Sequence, residues 1–138
     1  MHAHPDPTNR RSPAIPALIG VVLALPFIAI LMYHPDGAYD LLALILAFTG
    51  GVYTGSALRA EVATRKLAIE WAFGALLVIV AALSFWWSPT WLAAGFGAHA
   101  AWDVAHHARP PGLGIRRWFP PFCAGFDIAV AALVLFYA

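Results

Sequence analysis

Cysteine is almost absent from this chain: its 138 residues contain one, Cys123. A single thiol excludes an internal disulfide framework and any zinc module built on paired cysteines. Charge is scarce as well. Only 11% of residues are Asp, Glu, Lys or Arg, against about a quarter in soluble globular domains. The formal net charge of +1 gives no long-range field to steer a charged partner. No basic run of the kind that tracks a phosphate backbone is present, so no nucleic-acid partner is expected. There is no glycine-rich phosphate loop. No strand-length window alternates with period two, which argues against a β-barrel.

What remains is mostly apolar: 62% of residues are hydrophobic. After a polar, proline-containing tail over residues 1–12, expected to be flexible and cytoplasmic, five apolar segments follow at about 13–33, 38–58, 67–87, 90–107 and 120–138. Each is close to the ~20 residues that a helix needs to cross a bilayer. Unpaired backbone groups are too costly in lipid for any other regular structure at this pattern. The expected fold is therefore an all-α membrane protein, a five-transmembrane-helix bundle forming one domain over 13–138. The first segment follows two arginines, but its apolar stretch is long for a signal core, so it is expected to be a retained helix, kinked at Pro26.

The basic residues fix an orientation. Arg10 and Arg11 lie in the tail, Arg59, Arg65 and Lys66 in the second loop, and Arg109, Arg116 and Arg117 in the fourth. All fall on one side of a five-helix arrangement, and the positive-inside rule makes that side cytoplasmic. The N-terminus is then inside, the C-terminus outside, and the expected location is the plasma (inner) membrane. Tyr33, Tyr39, Trp86, Trp87 and Trp91 would mark the outer interface, where Asp36 and Asp40 are ordinary; Trp118 and Phe119 would mark the inner one.

Small residues recur every four positions in two segments: Ala47, Gly51 and Gly55 in the second, and Ala93, Gly97, Ala101 and Ala105 in the fourth. Such ridges let helices approach closely, and both are expected to be packing faces. In the fourth segment the ridge lies opposite His99, Asp103 and His106, which fall within roughly 60° of one another around a helix. That segment should be central, with one face packed on a neighbour and the other turned to a polar interior.

An ionised side chain at the centre of a lipid-exposed helix costs roughly 2.5–3.5 kcal/mol, so these residues must face protein or water and have partners. Glu70 in the third segment and Asp127 in the fifth should lie within ~10 Å of the same depth, in the cytoplasmic half. Cys123 is one turn from Asp127 on its helix face. Imidazole and carboxylate are ligands for divalent zinc or iron. His99, Asp103, His106 and Asp127 are the candidate metal ligands, with Glu70 available to complete the set. Asp103 could instead orient a ligating histidine. In a metal-dependent membrane hydrolase acting on lipid-derived substrates, the metal would acidify a bound water, and Glu70 or Asp127 would be the catalytic base. Two other readings fit the same residues: a structural hydrogen-bond network in a non-enzymatic transporter subunit or assembly factor, and a proton path or solute pocket. Homo-oligomerisation stays open. Gly50–Gly51 could make room for a ligand beside Tyr53 and Ser56, or simply permit a close helix crossing.

The stretch His99-Ala-Ala-Trp102-Asp103-Val-Ala-His106-His107, followed by Cys123-Ala-Gly-Phe-Asp127, resembles a family of small, uncharacterised bacterial multi-pass membrane proteins known as a domain of unknown function. That family's pattern is His-x-x-Trp-Asp-x-x-His-His and, further on, Cys-x-x-Cys-Asp. Phe126 stands here where the family often has a second cysteine. The resemblance implies a small helical bundle with a shared polar centre, and it implies no particular activity.

Overall fold

Proline and a lack of competing strand pattern set the element boundaries. The structure, a computed structural model, describes residues 12–108 and 113–138. The tail over 1–11, with Arg10 and Arg11, and Arg109 in the fourth loop lie outside the described residues. All regular structure among the described residues is helical: α1 (Ala14–Ala24), α2 (Pro26–Tyr33), α3 (Pro35–Arg59), α4 (Thr64–Trp86), α5 (Thr90–His107) and α6 (Phe119–Tyr137). α1 and α2 are the two halves of the first apolar segment. Pro26 has no N–H to donate into the preceding turn, so the ladder breaks at Leu25, whose own N–H bonds Val22 in a tighter turn. The turn expected over 34–37 is shorter than that. Only His34 leaves helical geometry (φ −145°, ψ 64°), and Pro35 opens α3 at once, its ring pre-set for a first helical turn.

Four stretches are long and apolar enough to cross a membrane: Ala14–Tyr33, Pro35–Arg59, Thr64–Trp86 and Phe119–Tyr137. α5 has 18 residues but is less apolar, because it carries the three histidines and Asp103. The outward faces are apolar too. Leu44, Phe48, Ile79, Ile128 and Phe136 are all exposed, whereas a surface helix in water normally turns polar residues outward.

Glycine decides how closely the packed helices approach. At the α1–α6 crossing a Cβ on Gly20 would fall on the backbone carbonyl of Phe122, and one on Gly125 on that of Ala17. At the α3–α4 crossing a Cβ on Gly50 would stand 2.8 Å from the carbonyl oxygen of Gly74. Thr54 locks this crossing, donating from Oγ1 to the Glu70 carbonyl at 3.1 Å and lying 3.2 Å from that of Gly50.

These contacts correct the expected packing ridges. A Cβ on Gly51, Gly55 or Gly97 would meet nothing within 4 Å, and Ala101 is exposed. The glycine that packs on α3 is Gly50, one residue and hence ~100° around the helix from Gly51. On α5, Leu92, Ala93, Gly95, Phe96, His99, Ala100 and Asp103 are buried, so of the expected ridge only Ala93 belongs to the packed face. α5 does touch α3, α4 and α6, but with the face that bears the polar residues; Gly97 and Ala101 look outward.

Two apolar clusters bracket those polar residues. One contains Ala24, Phe27, Leu42, Leu46, Leu77, Leu92, Phe96, Val130 and Val134. The other joins Tyr53, Ala57 and Leu113, with Val62, Leu67, Trp102 and Ile115 against it. Leu113 and Ile115 belong to the basic loop before α6, so part of that loop tucks under the helix ends. Arg59, Arg65, Arg116 and Arg117 are exposed at the same end of the bundle.

Candidate functional site

Helical spacing puts His99 and Asp103 on adjacent turns of α5, and the antiparallel α6 brings Asp127 across from them. His99 Nδ1 lies 2.6 Å from Asp127 Oδ2 and 3.4 Å from Asp103 Oδ2. One ligand atom from each of the three falls within 4.8 Å of the others. None is more than 1% exposed. Their separation is far inside the ~10 Å beyond which they could not share one ion with bonds of ~2 Å.

Two acidic side chains beside one imidazole make an unusual core. The Tyr53 hydroxyl of α3 donates to Asp103 Oδ1 at 2.6 Å. His99 Nδ1 and Asp127 Oδ2 share a hydrogen bond. Among the described residues, His99 Nε2 and Asp103 Oδ2 have no hydrogen-bond partner, although both are buried. Buried polar atoms are nearly always satisfied, and those that are not need a reason.

Glu70 and His106 are brought together as well, but with each other. His106 Nε2 is 3.0 Å from Glu70 Oε1. Glu70 Oε2 accepts from Trp102 Nε1–H at 3.2 Å, and His106 Nδ1 lies 2.9 Å from the Trp102 carbonyl oxygen. Phe73 stacks on Trp102 with ring centroids 4.1 Å apart, and the Tyr53 ring lies on His106 at 4.3 Å. Tyr53 thus stands between two polar groups: its hydroxyl serves Asp103, and its ring faces His106. The expected four-ligand set divides here. His99, Asp103 and Asp127 form a trio, while His106 joins the expected base Glu70 in a separate pair. Asp127, the other expected base, is engaged by His99. His107 is exposed, and Cys123 is buried one turn from Asp127.

Tyr53, expected only beside the glycine pair, and Trp102, expected only as part of the family pattern, are the hydrogen-bond partners of Asp103 and Glu70. A signal existed for both. Each lies inside a helix rather than at its outer end, and a buried phenol or indole needs an acceptor for its O–H or N–H. What was missing was the acceptor's address on another helix.

Residues 14–138 match the model of a family of unknown function, DUF6010. No curated protein matches the chain, and no solved structure does.

Proposed function

We propose, for a chain that belongs to that family and takes no activity from it, an integral plasma-membrane protein that holds a divalent metal at His99, Asp103 and Asp127. The observation that carries this reading is the trio itself: three ligand-type side chains with ligand atoms within 4.8 Å, two of which keep a buried atom without a partner. The donor chemistry fits. One imidazole with two carboxylates suits zinc or ferrous iron. Two ionised carboxylates beside a neutral imidazole would leave uncompensated negative charge in the apolar interior, and a divalent cation cancels it. Hydrolysis of a lipid-derived substrate at this metal requires the helices around the trio to part, because none of the three ligands is more than 1% exposed.

Elemental analysis of protein purified in detergent tests the reading. About one zinc or iron per chain is expected, lost in His99→Ala and Asp127→Ala and kept in His107→Ala, whose side chain points away from the trio. A parent protein that stays metal-free after incubation with zinc and with ferrous iron overturns it. The short His99–Asp127 and Tyr53–Asp103 contacts, each 2.6 Å, favour a second reading for that outcome. In it, the trio is a metal-free, charge-assisted hydrogen-bond network that ties α3, α5 and α6 together.

The orientation proposed is N-terminus in the cytoplasm and C-terminus outside, supported by the single-sided distribution of lysine and arginine. Single cysteines introduced at Arg65 and Arg117 in a Cys123→Ser background should resist a membrane-impermeant thiol reagent added to intact cells. A cysteine at Asp36 should react. The reverse pattern would invert the topology.

A further inference from the structure

The Glu70–His106 pair lies outside the trio, and its geometry determines where a proton must be. His106 Nδ1 is 2.9 Å from the Trp102 carbonyl oxygen, which can only accept. Nδ1 therefore carries the hydrogen. If His106 were neutral and Glu70 ionised, Nε2 would present a bare lone pair to a carboxylate oxygen at 3.0 Å. In a site where Glu70 is 2% exposed, two facing acceptors repel with little solvent to screen them. Glu70 Oε2 already accepts from Trp102 Nε1–H, so the extra proton is not needed there.

We infer that Glu70 and His106 bind one proton in the Oε1···Nε2 contact, making this pair a proton-binding site separate from the metal trio. The pair has zero net charge whether the proton rests on nitrogen, as imidazolium with carboxylate, or on oxygen, as neutral imidazole with carboxylic acid. That neutrality is what lets both groups stay buried among Phe73, Trp102 and the Tyr53 ring. The site is insulated from the trio, since the Tyr53 hydroxyl is committed to Asp103 and only its ring faces His106. It faces the basic end instead. His106 is in the last turn of α5 and keeps 9% of its side chain exposed, so the proton exchanges on the side of Arg59 and Arg116.

Nitrogen-15 NMR of histidine-labelled protein in detergent at neutral pH reads the proton directly. In the parent protein, His106 Nδ1 is expected as an N–H nitrogen, and Nε2 as a protonated or strongly hydrogen-bonded nitrogen, not as a free acceptor. Glu70→Gln should move the Nε2 signal toward that of a neutral acceptor, because the glutamine amide donates to it and no shared proton remains. His99→Gln, which disrupts the trio, should leave the His106 signals in place. A parent Nε2 signal of a bare, weakly bonded nitrogen overturns the inference, as does an infrared spectrum with Glu70 ionised beside a neutral His106. The parent spectrum decides without a variant of the pair, since single His→Gln changes at His2, His4, His34, His99 and His107 assign His106 by elimination among the six histidines.

Discussion

Asp127→Ala is expected to cost the fold about 3–5 kcal/mol, the range for removing one partner from a buried, hydrogen-bonded charge pair. The substitution leaves His99 Nδ1 facing only Asp103 at 3.4 Å and opens a gap where α5 meets α6. The double variant His99→Leu/Asp127→Leu should recover part of the loss, because replacing both members of a buried pair by apolar groups is often close to neutral. Recovery is partial, since Asp103 then keeps only the Tyr53 hydroxyl and must take up a proton to remain buried. Thermal unfolding in detergent measures both effects. A chelator should lower the melting temperature of the parent and leave that of the double variant unchanged, because a ligand bound only to the folded state stabilises it by mass action. If the double variant loses as much as the two single variants added together, His99 and Asp127 are not coupled, and the site as described is wrong.

Gly125→Leu is expected to abolish the native bundle, while Gly97→Leu should fold like the parent. At Gly125 the first added carbon would clash with the Ala17 carbonyl oxygen. Overpacking a well-filled interior typically costs 1–3 kcal/mol; here the obstacle is backbone, which cannot rotate out of the way, so the cost should lie at or above the top of that range. Gly74→Leu should behave similarly, because its Cβ would strike the Gly50 carbonyl. At Gly97 a side chain would extend into open space. Size-exclusion profiles and melting temperatures of the three variants decide the matter. A stable Gly125→Leu protein beside a collapsed Gly97→Leu protein would reverse the face assignment of α5 and the α1–α6 crossing together.

The two glycine expectations show why some packing was legible and some was not. Spacing of four residues identifies a smooth ridge on a helix, but it does not say which side the neighbour occupies. Gly50 and Gly51 are adjacent in sequence and ~100° apart around α3. Only the position of α4 selects Gly50. On α5, the small ridge and the polar face each looked like an interface. The polar face won, because leaving Asp103 and His99 in an apolar exterior would cost more than leaving Gly97 and Ala101 there. Composition does carry that comparison, and it was available from the residues alone.

The sequence by itself determined that the chain is helical, where its apolar segments run, and that His99, Asp103, Glu70 and Asp127 need buried partners. Those conclusions follow from local quantities: hydropathy over about 20 residues, proline's missing N–H, and the cost of an isolated charge. The tertiary structure alone decided who partners whom. Asp127 reaches His99 because α6 lies antiparallel against α5, and Tyr53 reaches Asp103 because α3 also packs against α5. His106 turns to Glu70 rather than to the trio because the Tyr53 ring occupies the space between them. Each of these depends on the distance and rotation between two helices far apart in the chain, which a helical period within one segment does not encode.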